Sequence, residues 1–181
     1  AWGFTNLGPD VTDLVLHQVD GDSYLFDGEY LPLETRTETI EVAGGDPVEI
    51  EIRSTQDGPI ISGIEDIEIY DVVAQDAPVP PPGSLSTDAG DAGAYEVALR
   101  WTALDPQPTF DAFDALNTAS SWEEFREAAR LLAVPAQNLL YADTSGRIGY
   151  QAPGRIPVRR GYDGKWPIPG WTSEYGWSDY I

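Results

Sequence analysis

The segment from residue 35 to residue 54 constrains the fold more than any other part of the sequence. Residues 35–42 carry β-branched side chains at every second position, and residues 48–54 alternate apolar with charged side chains. A period of two is typical of a β-strand with one buried face. Gly44-Gly45-Asp46 separates the two runs and favours a tight turn. The segment therefore predicts an antiparallel hairpin in which Val48, Ile50 and Ile52 face a core.

Further strand-like runs precede and follow this hairpin. They are predicted at residues 14–19, 23–26, 60–61, 64–73 and 95–104. A second hairpin is predicted over residues 138–151, with Ser145-Gly146 in its turn. Residues 74–94 are almost entirely small, acidic or proline and predict a long surface loop, and the tail from Pro153 predicts an irregular segment.

Two short helices are predicted between the hairpins. The first covers residues 109–116, is capped by Thr109, and turns Phe110, Phe113 and Leu116 inward. The second starts at a capping box formed by Ser121 and Glu124 and is expected to run to about residue 133. Because strands and helices do not alternate, the predicted fold class is α+β, mainly antiparallel β-sheet with two short helices.

Charge excludes two classes of partner. The 181 residues include 31 acidic and 10 basic side chains, a net charge of −21. Such a field repels nucleic acid and anionic membrane surfaces, so neither is an expected partner. Nine of the ten basic residues are arginine, which fits either a halophilic source or a GC-rich genome. Both interpretations stay open.

Missing residue types exclude further chemistry. The chain has no cysteine, which excludes disulfides, thiolate metal sites and a cysteine nucleophile. His17 is the one histidine, so a site with two histidine ligands is excluded, and a structural role is the favoured interpretation. Methionine is absent even at position 1, which predicts a processed product or an internal piece of a longer chain.

Two loops carry residues with plausible chemistry. Asp10 and Asp13 lie three positions apart, and carboxylate and carbonyl oxygens in a loop suit calcium, although a solvated acidic turn gives the same pattern. Asn138 opens a predicted strand, where a rigid amide can donate an N–H to an oxyanion, although spacing alone favours a turn or cap role. From residue types alone, no nucleophile and base are visible together.

Five blocks in the chain resemble the penicillin acylase family of N-terminal-nucleophile (Ntn) hydrolases. They occur in the family's order and reach both ends of the chain. Asp57 stands where the family's HGP segment usually has histidine. The blocks are residues 1–14 (WG-T-N…D-x-x-D-L), 57–61, 136–150 (QN-x-x-YAD-x-x-G-x-IGY), 154–159 and 167–171.

The resemblance implies that the chain is part of an Ntn-hydrolase αββα fold and that residues 1–181 form one fragment of a β chain. In the family, self-cleavage of a precursor exposes a serine whose hydroxyl attacks the amide carbonyl, with its own α-amine as the base. The present chain begins after that serine, so the fragment alone is expected to be inactive. The parent is expected to cleave an acyl side-chain amide of the β-lactam or N-acyl homoserine lactone type.

Three catalytic roles follow from the resemblance. Asn138 matches the asparagine whose side-chain amide binds the oxyanion, and Asn6 matches the position whose backbone N–H completes that hole. Arg159 matches a positioning arginine near that asparagine, and Arg155 is a second candidate.

A metal set also follows from the resemblance. Asp10, the backbone carbonyl of Thr12, and Asp13 match calcium ligands of some family members, and Asp143 is a further candidate. Calcium is thus an expectation for the complete enzyme, and no cofactor is expected for catalysis.

The implied partners are an α subunit, the rest of the β chain and a small acyl amide substrate, in a periplasmic or extracellular location. Two other readings remain open: a non-catalytic relative that kept the fold for binding, and a calcium-stabilised extracellular β module.

Overall fold

The computed structural model describes residues 1–62 and 94–181, which divide into two compact units. The first unit comprises Ala1–Val11, Trp101–Val158 and Trp177–Ile181, and the second comprises Thr12–Arg100 and Arg159–Gly176. The strand predicted at 64–73, and the loop predicted at 74–94 up to residue 93, lie outside the described residues.

The described residues form mostly antiparallel sheets and two α-helices, as the sequence predicts. The helices are α1 (Thr109–Thr118) and α2 (Trp122–Ala129). The strands are β1 (Trp2–Asn6), β2 (Thr12–Asp20), β3 (Ser23–Phe26), β4 (Glu29–Pro32), β5 (Glu34–Ile40), β6 (Val48–Thr55), β7 (Gly58–Pro59), β8 (Ala94–Trp101), β9 (Gln137–Ala142), β10 (Ile148–Gln151), β11 (Pro157–Arg160), β12 (Ile168–Pro169) and β13 (Gly176–Tyr180).

The first unit packs both helices against one face of a three-stranded sheet. Strand β9 is central, with β1 and β10 antiparallel on either side. Phe125 of α2 and Leu139 of β9 are fully buried between helices and sheet. Because side chains alternate along β9, Leu139 and Tyr141 face this core while Asn138 and Leu140 lie on the other face.

Helix α2 begins as predicted and ends early. The Ser121 hydroxyl accepts from the backbone N–H of Glu124 at 3.1 Å, so the cap is confirmed. The Glu124 carboxylate accepts from the backbone N–H of Ser120 at 2.7 Å. The helix ends at Ala129 rather than near residue 133 because the following residues turn toward Pro135.

As predicted for α1, Leu116 is buried and Phe113 packs against the core. The predicted cap at Thr109 and the predicted burial of Phe110 are wrong. Pro108 is the N-cap, and the Thr109 hydroxyl instead accepts from the backbone N–H of Val134 at 3.3 Å. The buried face consists of Ala112 and Leu116, while Phe110 is 86 % exposed. Phe110 lies in the first turn, outside the core cluster that the two helices form with the sheet.

The second unit is built around the buried strand β2. Strand β3 pairs antiparallel with it, β12 pairs parallel, and β8 also pairs with it. Leu16 and Val19 of β2 and Val97 of β8 are fully buried. The strand predicted at 95–104 therefore forms, but it ends at Trp101 and continues as a 3-10 helix, Thr102–Leu104.

The strongest predicted hairpin is confirmed in pairing but not in burial. Strands β5 and β6 pair in register from Glu34 opposite Ser54 to Ile40 opposite Val48. Val48 and Ile50 are nevertheless 48 % and 40 % exposed, because the described residues do not cover that face. The tail predicted as irregular also differs, since it contains the short strands β11, β12 and β13.

Candidate active site

Asn138 lies at the start of β9, on the face of the sheet opposite the helices. Its register partner on β1 is Thr5. The side-chain amide nitrogen donates to the backbone carbonyl of Asn6 at 3.1 Å and to the Thr5 hydroxyl at 3.3 Å. The amide of Asn138 therefore reaches across β1 to the peptide at Asn6.

The backbone N–H of Asn6 points to the outer edge of β1. At one end of β1, Ala1 N donates to Ala142 O at 2.7 Å and Ala142 N donates to Ala1 O at 2.9 Å. At the other end, Leu7 N donates to Ala136 O at 3.4 Å. Hydrogen-bonded and non-hydrogen-bonded positions alternate in an antiparallel pair. The odd-numbered residues of β1 thus bond to β9, and the N–H of Asn6 faces away from it.

Asn138 and Asn6 are the two predicted oxyanion donors that the first unit brings together. One contributes a side-chain amide on the sheet face opposite the helices, and the other contributes a main-chain N–H at the outer edge of β1. Paired donors of this kind can stabilise negative charge that develops on a carbonyl oxygen. Their roles remain predictions.

A shallow cleft of about 400 Å³ borders Asn6 in the same unit. Its walls are mainly apolar and include Pro9, Val11, Trp101 and Pro135. Apolar walls beside a few polar groups are typical of small-molecule sites.

Tyr150 is a residue of this site for which sequence reasoning proposed no role. Its hydroxyl donates to the Asn138 side-chain oxygen at 2.5 Å. The signal was available in the predicted 138–151 hairpin, whose register places the two positions on one face as diagonal neighbours.

Arg159 contacts Asp13 in the second unit. The guanidinium Nε lies 2.9 and 3.2 Å from the two carboxylate oxygens, and the Tyr162 hydroxyl donates to the same carboxylate at 2.7 Å. Asp13 is 4 % exposed, so the arginine compensates a buried charge. The positioning role predicted for Arg159 remains a prediction, and Arg155 lies beside Asp105 in the first unit.

The predicted calcium ligands are divided between the units. Asp10 belongs to the first unit, while Thr12 and Asp13 belong to the second. Among residues 1–62 and 94–181, no group of three or more His, Asp or Glu side chains is arranged to hold an ion. As arranged here, the donors fit calcium poorly, because Asp13 already binds Arg159 and Tyr162.

Asp143, a further candidate ligand in the sequence, binds the turn of the second hairpin instead. Its carboxylate accepts from the backbone N–H groups of Ser145 and Arg147 at 2.9 and 3.1 Å.

His17 and Asp57 form a buried polar cluster in the second unit. His17 Nε2 lies 3.2 Å from Asp57 Oδ2 and 3.0 Å from the Thr55 hydroxyl, and Arg100 donates to Asp57 Oδ1 at 2.9 Å. His17 Nδ1 has no hydrogen-bond partner among the described residues. The aspartate that departs from the family's HGP segment thus has a structural role as a link between β2 and the end of β6.

No helix within the described parts of the chain has the length and apolar character needed to cross a membrane.

The comparisons with known proteins agree with the sequence blocks. The chain is 29 % identical over 184 residues to an acyl-homoserine lactone acylase QuiP of Pseudomonas syringae, covering 99 % of the chain and 19 % of the relative. It is also 29 % identical to a penicillin acylase 2 proenzyme of a Pseudomonas species, covering 100 % of the chain and 20 % of that relative. The chain spans about a fifth of the length of these curated relatives.

A solved structure shows the same fold. A thermostable penicillin G acylase from Alcaligenes faecalis superposes with a TM-score of 0.73 at 24 % identity, covering all of this chain and 29 % of that one. The family model described as penicillin amidase matches residues 1–181. The chain therefore belongs to the penicillin amidase family.

Proposed function

We propose that the complete protein carrying this chain hydrolyses an acyl amide and that this chain supplies the oxyanion hole. The donors are the Asn138 side-chain amide and the Asn6 backbone N–H. The observation that carries the proposal is the reach of the Asn138 amide to the Asn6 peptide, with the Asn6 N–H turned away from β9. The acylase names of the relatives support the reaction class.

The reaction proposed follows the family's N-terminal serine chemistry. The serine, outside this chain, adds its hydroxyl oxygen to the amide carbonyl carbon while its α-amine takes the proton. Negative charge moves to the carbonyl oxygen, and preorganised donors stabilise that charge at the moment it develops. The proton then passes to the leaving amine as the C–N bond breaks, and water hydrolyses the resulting serine ester.

The chain's own contribution is donor geometry. The Asn138 amide has two N–H groups, and its nitrogen lies 3.1 Å from Asn6 O and 3.3 Å from Thr5 Oγ1. The bond to Thr5 is the longer and weaker of the two. We expect the amide to exchange its hydrogen bond to Thr5 for one to the oxyanion, while its hydrogen bond to Asn6 keeps the amide in place.

The relatives' names indicate two substrate classes. One relative is named for acyl-homoserine lactones and the other for penicillin. In both substrate classes an amide joins an acyl group to an amino group carried on a small polar ring. We therefore propose an acyl amide of this general class as substrate.

Replacement of Asn138 with alanine tests the proposal in the complete protein. We expect kcat for an acyl amide to fall by about 10²–10³, the usual effect of losing one oxyanion donor. The thermal transition should persist, since the side chain lies on the sheet surface and is only partly buried.

Asn117→Ala is the matched control, because Asn117 is exposed on α1 in the same unit. It should leave kcat unchanged. Retention of full turnover by N138A would reject the oxyanion assignment. Absence of turnover from the unmodified complete protein on all acyl amides tried would favour a non-catalytic relative.

A further inference from the structure

Strand register places Tyr150 and Asn138 on the same face of the sheet. Tyr150 lies opposite Leu140, and Asn138 precedes Leu140 by two residues on β9. Residues related in this way are diagonal neighbours, within reach of a long aromatic side chain. The Tyr150 hydroxyl accordingly lies 2.5 Å from the Asn138 side-chain oxygen.

The direction of each hydrogen bond follows from the groups present. The Asn6 carbonyl only accepts, so the Asn138 group that faces it is the NH₂. The opposite end of the amide is then its oxygen, to which Tyr150 donates its O–H. Rotating the amide by half a turn would set its oxygen against the Asn6 carbonyl and replace an attraction with a repulsion.

An oxyanion donor works best when it is held before the charge develops. Asn138 is only partly buried among the described residues, so water competes for its amide and a further hydrogen bond is needed to fix the orientation of that amide. The Tyr150 bond opposes rotation of the amide. Donation to the amide oxygen also polarises the amide and strengthens its N–H groups as donors.

We infer that Tyr150 is a positioning residue that holds the Asn138 amide in its donor orientation. The inference rests on the proposed function, because it concerns the same oxyanion hole. Tyr150 acts through Asn138 and does not itself contact the oxyanion.

A double-mutant cycle in the complete protein tests this role. Tyr150→Phe removes only the hydroxyl, and we expect kcat to fall about five- to tenfold, the usual effect of losing one neutral hydrogen bond. KM should stay within about twofold, because the oxyanion forms after substrate binds. In the N138A background, Y150F should change kcat by less than about twofold, since the group it positions is gone.

Tyr30→Phe is the matched control, because Tyr30 is 50 % exposed on β4 and Tyr150 is 54 % exposed on β10. Y30F should leave kcat and KM unchanged. The thermal midpoint of Y150F should match that of Y30F, which separates positioning from a loss of stability.

Two results would overturn the inference while leaving the proposed function intact. In the first, N138A lowers kcat but Y150F does not. In the second, Y150F lowers kcat equally with and without Asn138, so that the two residues act independently. If N138A itself has full activity, the proposed function is rejected instead.

Discussion

Asp143 shows how one side chain stabilises the hairpin that carries the proposed site. Its carboxylate accepts hydrogen bonds from both the backbone N–H and the hydroxyl of Ser145, and from the backbone N–H of Arg147. The Tyr141 hydroxyl donates to the other carboxylate oxygen at 3.1 Å. These donors, the Ser145 hydroxyl first, hold the pKa of Asp143 below its ordinary value of 3.8.

The lowered pKa gives a pH dependence with a definite sign. Above pH 3.8 the carboxylate is charged in both states, and its hydrogen bonds stabilise the folded hairpin fully. As the pH falls below that value the unfolded chain binds the proton first, so the contribution is lost as the pH passes through the lower folded pKa. Asp143→Asn should therefore lower the thermal midpoint at pH 7. The difference in thermal midpoint between the variant and the unmodified protein should become smaller as the pH approaches 3.

Thermal unfolding between pH 7 and pH 3 measures this gap. Asp114→Asn, on the exposed surface of α1, is the matched control and should produce no comparable gap. A gap for D143N that is constant over the whole range would contradict the titration argument.

At the scale of elements, β10 packs against α2 through a residue without a side chain. Gly149 pairs with Tyr141, and the Trp122 ring lies directly over it. A Cβ on Gly149 would lie 2.2–2.7 Å from atoms of that ring. Phe125 and Tyr141 flank the ring with centroids 5.5 Å away, which limits its movement.

Gly149→Ala should therefore lower the free energy of unfolding by about 1–3 kcal/mol, the usual range for overpacking. Gly3→Ala is the control, because Gly3 lies in β1 of the same sheet and its Cβ would meet nothing within 4 Å. Denaturant unfolding of both variants isolates the clash from the general effect of glycine replacement. Equal stability of the two would show that Trp122 moves aside freely.

At the scale of the whole molecule, the described residues expose several apolar side chains on one face of a sheet. Leu140, Ile148 and Tyr150 are 50 %, 83 % and 54 % exposed on one sheet of the first unit. Apolar surface of this kind marks a site of contact with other protein. It agrees with a chain that spans a fifth of its relatives' length.

The chain expressed alone should therefore bind a hydrophobic fluorescent dye or self-associate. Its thermal midpoint should not respond to calcium, because Asp13 is engaged by Arg159. Dye fluorescence, sedimentation and thermal unfolding with calcium or with a chelator measure these properties. A monomer without dye binding, stabilised by calcium, would instead favour the calcium-stabilised β module.

Local features of the fold and the family could be predicted from the sequence. The β5–β6 and β9–β10 hairpins and the Ser121 cap depend on residues a few positions apart, so their spacing alone reveals them. The five blocks identified the family for the same reason, because each is a short contiguous run. Asn6 was found only through that resemblance. Asn138 was also a candidate from its place at the start of a predicted strand, although its residue type and spacing by themselves favoured a turn or cap role.

Only the tertiary structure decided which side chains are covered and which partners they find. The apolar pattern of α1 cannot show that Ala112 is buried and Phe110 exposed, because burial depends on where the neighbouring elements end. The contact between Arg159 and Asp13 joins residues 146 positions apart, and the Asn138 amide reaches Asn6 across 132 positions. Contacts between residues this far apart in the sequence depend on how the strands pack. Periodicity and spacing in the sequence report only on residues within one helical turn or one hairpin.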